Sequence, residues 1–327
     1  MGILLQPLPD GPLDILGDVH GELGALQELL QHLGYDRCGY HPDGRHLVFV
    51  GDLVDRGPDS LGVIRLVAPL VESGAASCIL GNHELNLLLG KRRPGNEWFF
   101  GEQQQVGDHR TTMGQVLATH ETRTEILLFL LRLPLALQRH GLRVVHACWD
   151  PHAIAALESA HCGLVELFYA SEQAITQACL AAGYEKNSRC ADLARQNDNP
   201  VTVLTSGQER RTTTPFHAGG RVRHTERVPW WGDYHDDSEV IFGHYWRAID
   251  PDCRTAKGGP YLFDVVPYEQ ALGPKQNAFC IDFSVGYRNV ARAKGDLNPG
   301  ATALAALRFP ERELMLDDGR CVRVTKP

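Results

Sequence analysis

Leu13-Asp14-Ile15-Leu16-Gly17-Asp18-Val19-His20-Gly21 and His46-Leu47-Val48-Phe49-Val50-Gly51-Asp52-Leu53-Val54-Asp55-Arg56-Gly57 decide the reading of this chain. Each opens as a short apolar run and closes on a glycine followed by a carboxylate, the signature of a buried strand ending at a tight turn. Between them, Glu22 to Leu33 places Leu23, Leu26, Leu29, Leu30 and Leu33 at helical spacing, and Ser60 to Val71 repeats the pattern with Leu61, Ile64, Val67 and Leu70. Ser77–Gly81 and Leu142–His146 read as further strands. Strand alternating with helix predicts an α/β unit with right-handed crossovers.

Outward from that unit the character changes. Residues 151–200 are helical in pattern and read as an inserted cap, with candidates at Ala153–Ala160, Leu164–Ala182 and Cys190–Arg195. Residues 206–238 are rich in Gly, Pro, Arg and Thr without period and read as a long substrate-side loop. Glu239–Gly243 restores a strand. Runs at Pro260–Val266, Ala278–Phe283, Ala301–Phe309, Glu313–Leu316 and Cys321–Thr325 are expected to form a second, largely antiparallel sheet. At 327 residues, one catalytic domain over 1–327 carrying the insert is the expectation.

The formal charge of −8 argues against a nucleic-acid partner. The local exception is the basic stretch from Arg210 to Arg227, suited to a phosphorylated ligand. Nine cysteines without a C-x-x-C pair fit neither a disulfide framework nor a thiolate zinc site, so a reducing cytoplasm is expected. No run approaches the roughly 20 apolar residues of a membrane span, and Met1–Pro9 lacks the pattern of a signal peptide.

The polar residues at the strand ends carry the chemistry. Gly17-Asp18-Val19-His20-Gly21, Gly51-Asp52, Gly81-Asn82-His83-Glu84, His146 and Gly243-His244 each follow an apolar strand, and in an open α/β sheet such ends meet in one crevice. Carboxylates, an amide oxygen and imidazoles suit manganese first, with iron or zinc as alternatives. Asp18 and His20 are placed to hold one ion and Asn82, His146 and His244 the other, with Asp52 bridging. Two ions so bridged lie roughly 3.5–4 Å apart, where a shared hydroxide attacks phosphorus. His83 is the candidate proton donor to the leaving oxygen, provided a carboxylate fixes its tautomer.

These blocks resemble the calcineurin-like metallophosphoesterases, and among them the serine/threonine phosphoprotein phosphatase and symmetric diadenosine tetraphosphatase branch. The likeness runs over roughly Leu13 to Trp246, outside the helical segment. It implies a four-layer α/β/β/α sandwich of two mixed sheets flanked by helices, with a binuclear metal centre. It also implies Asp18, His20, Asp52, Asn82, His146 and His244 as metal ligands, His83 as an acid paired with Asp55, and Arg56 on phosphate. Two positions depart from the protein phosphatases: Leu80 stands where they carry an arginine, and Ala147-Cys148-Trp149 follows His146 where two glycines are usual.

The expected activity is hydrolysis of a phosphomonoester or phosphoprotein, with a dinucleoside polyphosphate such as diadenosine tetraphosphate as the alternative substrate. A metal-bound sensor of phosphorylated ligands without turnover is the alternative of another class. Arg247 is a further candidate for phosphate. Trp230 and Trp231 are candidates for stacking on a base or aryl ring, against the plainer reading of core anchors.

Overall fold

A computed structural model of the chain describes residues 3–106, 111–112, 114–218, 221–250, 260–263, 266–295 and 301–325. The first half holds β1 (Leu5–Pro7), β2 (Leu13–Leu16), α1 (Leu23–Leu33), β3 (His46–Phe49), α2 (Ser60–Glu72), β4 (Ala76–Cys78), α3 (Asn82–Leu88), β5 (Gln105–Val106), β6 (Thr111–Thr112), α4 (His120–Leu130), β7 (Ala136–Arg139) and β8 (Leu142–Val145). Four helices follow: α5 (Pro151–Glu158), α6 (Leu164–Ala181), α7 (Arg189–Asp198) and α8 (Pro200–Ser206). The remainder comprises β9 (Glu209–Ala218), β10 (Arg221–Arg227), β11 (Glu239–Phe242), β12 (Ala278–Cys280), α9 (Arg288–Lys294), β13 (Ala305–Phe309), β14 (Glu313–Leu316) and β15 (Cys321–Arg323).

Two mixed sheets form the centre. One runs β15-β14-β13-β2-β3-β4 and the other β1-β7-β8-β11-β12. Strand alternation puts Leu13, Ile15 and Val48 of the first sheet with Leu142, Val144 and Ile241 of the second in one shared core. The intervening residues Leu16, Leu47, Phe49, Val145, Val240 and Phe242 belong instead to the outer core, with Leu26 and Leu29 of α1 and Ile64 and Val67 of α2. This is the four-layer α/β/β/α arrangement. Asp59 caps α2, its side chain accepting the N–H of Gly62, and α1 stops at Gly34, whose φ of 95° favours glycine.

Three expectations need correction. Residues 206–238 are not a structureless loop: β9 and β10 pair antiparallel, Val222 opposite His217 and Arg227 opposite Glu209, and Trp230–Asp233 forms a 3-10 turn. Thr212, Thr213, Thr214, Val222 and Thr225 are strand formers. No described side chain of the paired ribbon is fully buried, however, so neither face imposes the apolar alternation that marks a strand in sequence.

Secondly, the C-terminal strands do not form a sheet of their own. β13, β14 and β15 extend the first sheet, Leu307 lying opposite Ile15, while β11 and β12 run parallel beside β8. Which sheet edge a strand joins depends on contacts far apart in sequence. Finally, Pro260–Val266 is turn or irregular chain wherever it is described, with 264–265 outside the described residues.

Candidate active site

The strand ends do converge, but across two sheets. Asp18 follows β2, Asp52 follows β3 and Asn82-His83 opens α3 beyond β4, whereas His146 and His244 follow β8 and β11 of the other sheet. The site therefore sits on the rim of the sandwich where both sheets terminate. Two glycines permit the approach. A Cβ on Gly243 would lie 2.0 Å from Oδ1 of Asp18, and one on Gly51, whose φ is 92°, would lie 2.5 Å from the Gly81 nitrogen.

The non-glycine residues His20, Asp52, Asp55, Arg56 and His244 all have positive φ, between 47° and 74°. Left-handed backbone costs roughly 1–2 kcal/mol per residue, so its concentration here marks geometry imposed by the surroundings. The imposing bonds are visible. His20 N–H donates to the Asp52 carbonyl, Asp55 N–H to Ser60 Oγ, Arg56 N–H to the Gly95 carbonyl, and His244 N–H to the Asp18 carboxylate.

Two overlapping donor groups result: His20, Asp52 and His83, and Asp52, His146 and His244, all buried, with each group's donor atoms within 4.8 Å of one another. Asp52 belongs to both. Asp18 adds its Oδ2 at 3.8 Å from Nε2 of His20, and Asn82 adds its Oδ1 at 2.7 Å from Nδ1 of His244 and 3.3 Å from Nε2 of His146. Backbone carbonyls fix the imidazole tautomers. His20 donates Nδ1–H to Val54 at 3.0 Å and His146 donates Nδ1–H to Val50 at 2.7 Å, which leaves both Nε2 lone pairs facing the carboxylates.

This donor set fits metal ions electrostatically as well. Burial, with Asp282 beside it, holds the Asp18 carboxyl well above its usual range, the sign of an anion lacking a cation. Burial opposes ionisation of Asp52 too, yet the imidazoles of His146, His83 and His20 together hold it well below the usual range. Against the pull of burial, Asp52 pushes His146 up to about 10. A dication satisfies that demand for positive charge without the proton. Burial, then Arg56 for His20 and Arg227 for His244, keeps both those imidazoles neutral, the form that ligates.

Within the first donor group, His83 gives its Nδ1–H to Asp55 Oδ2 at 2.6 Å, and the Arg56 guanidinium donates to Nε2 of His83 and to Nε2 of His20 at 2.8 Å each. Trp246 stacks under Arg56 at 4.7 Å.

The remaining candidates lie elsewhere. Arg247 is 2% exposed and donates to the carbonyls of Pro267 and Gln270, bracing that turn rather than facing the site. Trp230 and Trp231 are buried in an aromatic cluster: Trp230 donates Nε1–H to Ala147, and Trp231 stacks parallel on Phe263. A continuous core under the second sheet takes them out of contact with solvent.

Three residues have roles at the site that the sequence reading did not give them. Glu84 accepts the N–H groups of Asp52, Val54 and Gly81, tying two ligand loops together. Asp282 accepts from Trp246 and Ser284, and Arg227 of β10 donates to the His244 carbonyl. Asp282 did carry a signal, since it too follows an apolar strand, β12. Arg227 carried a signal as the last cation of the basic stretch Arg210–Arg227, but nothing in that stretch pointed to His244 as its partner.

The model of the calcineurin-like phosphoesterase family matches residues 11–144. A bis(5'-nucleosyl)-tetraphosphatase PrpE [asymmetrical] of Halalkalibacterium halodurans is 58% identical over 73 residues, 21% of this chain and 30% of that protein. A symmetrical bis(5'-nucleosyl)-tetraphosphatase of Ralstonia nicotianae is 36% identical over 139 residues, 42% of this chain and 41% of its own length. The chain thus spans well under half of the curated relatives it matches. A protein serine/threonine phosphatase structure from Saccharomyces cerevisiae aligns with all of this chain and 84% of its own at 14% identity and a TM-score of 0.50, a likeness of fold. Residues 11–144, the part similar to the calcineurin-like phosphoesterase family model, contain Asp18, His20, Asp52, Asp55, Arg56, Asn82 and His83.

Proposed function

We propose that this chain hydrolyses phosphate esters or anhydrides with the help of two metal ions held by Asp18, His20, Asp52, Asn82, His146 and His244. The observation that carries the reading is the shared carboxylate of Asp52, common to two buried donor groups. Manganese is the first choice, with iron or zinc as alternatives. When bound, such ions supply charge opposite the phosphoryl oxygens and make water acidic enough to attack near neutral pH.

The chain's own groups do the rest. Arg56, fixed by Trp246 and by the Gly95 carbonyl, lies between His20 and His83 and neutralises a phosphoryl oxygen there. Asp55 holds the Nδ1–H of His83, so Nε2, which accepts from Arg56 at 2.8 Å, is the atom that takes up a proton once the guanidinium turns to the phosphoryl group, and that passes it to the leaving oxygen. The described cysteines are all free, in keeping with a reducing cytoplasm.

A phosphomonoester or phosphoprotein is one substrate class. The names of the tetraphosphatase relatives, together with Leu80 in place of an arginine, favour a dinucleoside polyphosphate as the second. Assays of a phosphopeptide, 4-nitrophenyl phosphate and diadenosine tetraphosphate with added manganese separate the two. Tight phosphopeptide binding without release of phosphate from any of them overturns the enzymatic reading in favour of a sensor.

A further inference from the structure

Trp98 lies on the 3-10 turn Glu97–Phe100, is wholly buried, and belongs to no metal donor group. Its indole Nε1–H donates to Oδ1 of Asp55 at 2.7 Å, while Oδ2 of the same carboxylate accepts Nδ1–H of His83 at 2.6 Å. A carboxylate held through one oxygen turns freely about its terminal torsion, which has a broad energy profile. Held through both oxygens by donors on different elements, its plane is fixed. The Trp98 main chain is held, because its carbonyl accepts the N–H of Ala118 at 3.0 Å, and Phe99 packs edge-on against the buried indole. The adjoining Gly95 carbonyl accepts the Arg56 N–H at 3.1 Å. Residues 95–98 therefore hold both halves of the left-handed Asp55-Arg56 pair.

We infer that Trp98 is a positioning residue which, by fixing the plane of Asp55, orients His83 for proton delivery to the leaving oxygen. This rests on the phosphoesterase reading above. In that step Arg56 leaves Nε2 of His83 for the phosphoryl oxygens and Nε2 takes up a proton from solvent; water then adds to phosphorus as the bond to the leaving oxygen breaks, the leaving oxygen takes that proton, and the attacking water gives one back to the imidazole.

Leaving-group dependence tests the inference, because 4-nitrophenolate departs with little help from an acid and phenolate needs more. Trp98→Phe keeps an aromatic ring and removes the donor. It is expected to lower kcat on phenyl phosphate about tenfold more than on 4-nitrophenyl phosphate, a fraction of the ~10²–10⁴-fold contribution of general acid catalysis. KM is expected to stay unchanged, and His83→Asn to show the same bias more strongly. Equal losses on both esters, or none, overturn the inference.

A second readout does not depend on turnover. The downfield Nδ1 proton resonance of His83, assigned by its absence from His83→Asn, is expected to shift or broaden in Trp98→Phe, and an unchanged resonance overturns the inference. Wild type that turns over neither ester nor diadenosine tetraphosphate while this resonance still responds overturns the phosphoesterase reading and leaves the Trp98–Asp55–His83 link standing. Should Trp98→Phe fail to fold, benzothienylalanine at position 98 keeps the indole shape without the N–H, and the same outcomes apply.

Discussion

Oδ1 of Asp52 accepts the backbone N–H of His83 at 2.9 Å, so the carboxylate shared by both donor groups also fixes the first turn of the helix that carries the proposed acid. Metal binding and proton delivery are thereby linked through one side chain. Asp52→Asn removes the bridging charge and is expected to lower kcat/KM by about 10²–10³-fold. Bound metal should fall below two per chain. Elemental analysis alongside kinetics checks both, and wild-type activity with two ions retained would sink the bridging role.

Arg56 contributes a planar, two-pronged cation that spans His20 and His83. Lysine keeps the charge but loses that geometry. Arg56→Lys is expected to lower kcat/KM about 10-fold or more, the equivalent of one charged hydrogen bond, with metal content unchanged. A variant as active as wild type means that the guanidinium does not meet the phosphoryl group.

Trp231 is packed against Phe242, Tyr245 and Phe263. Trp231→Ala is expected to destabilise the fold by about 3–5 kcal/mol without raising KM in the fraction that remains folded. Urea melts and KM measured well below the melting temperature separate these effects. A raised KM with unaltered stability would restore the substrate-stacking role.

His46, on β3 away from the metal donors, has its ring 3.0 Å from Ser77 Oγ, and burial lowers its pKa from 6.5. Below the unfolded value of 6.5 the unfolded chain takes up a proton that the folded state resists, so this contribution to stability is present at neutral pH and declines as pH falls. His46→Gln should therefore flatten the pH dependence of stability just below 6.5. Denaturant midpoints measured in steps from pH 7.5 to about pH 5 test this, and parallel curves for the two proteins would rule it out.

The local sequence determined the elements whose chemistry is local. Leu26, Leu29, Leu30 and Leu33 share a helical face whatever surrounds them, and an apolar run closed by Gly17-Asp18 or Gly51-Asp52 reads as a strand leading into a polar turn. The donor types at the strand ends followed from residue identity, since carboxylate, amide and imidazole are properties of single side chains. Tertiary structure alone decided that β8 and β11 belong to a different sheet from β2, β3 and β4, and hence that the site lies on the rim between two sheets. It also decided that Arg247, Trp230 and Trp231 point into the core, and that Trp98, Glu84, Asp282 and Arg227 reach the site. Sheet pairing, burial and side-chain contact are relations between residues distant in the chain, set by which surfaces exclude water together, and no local pattern records them.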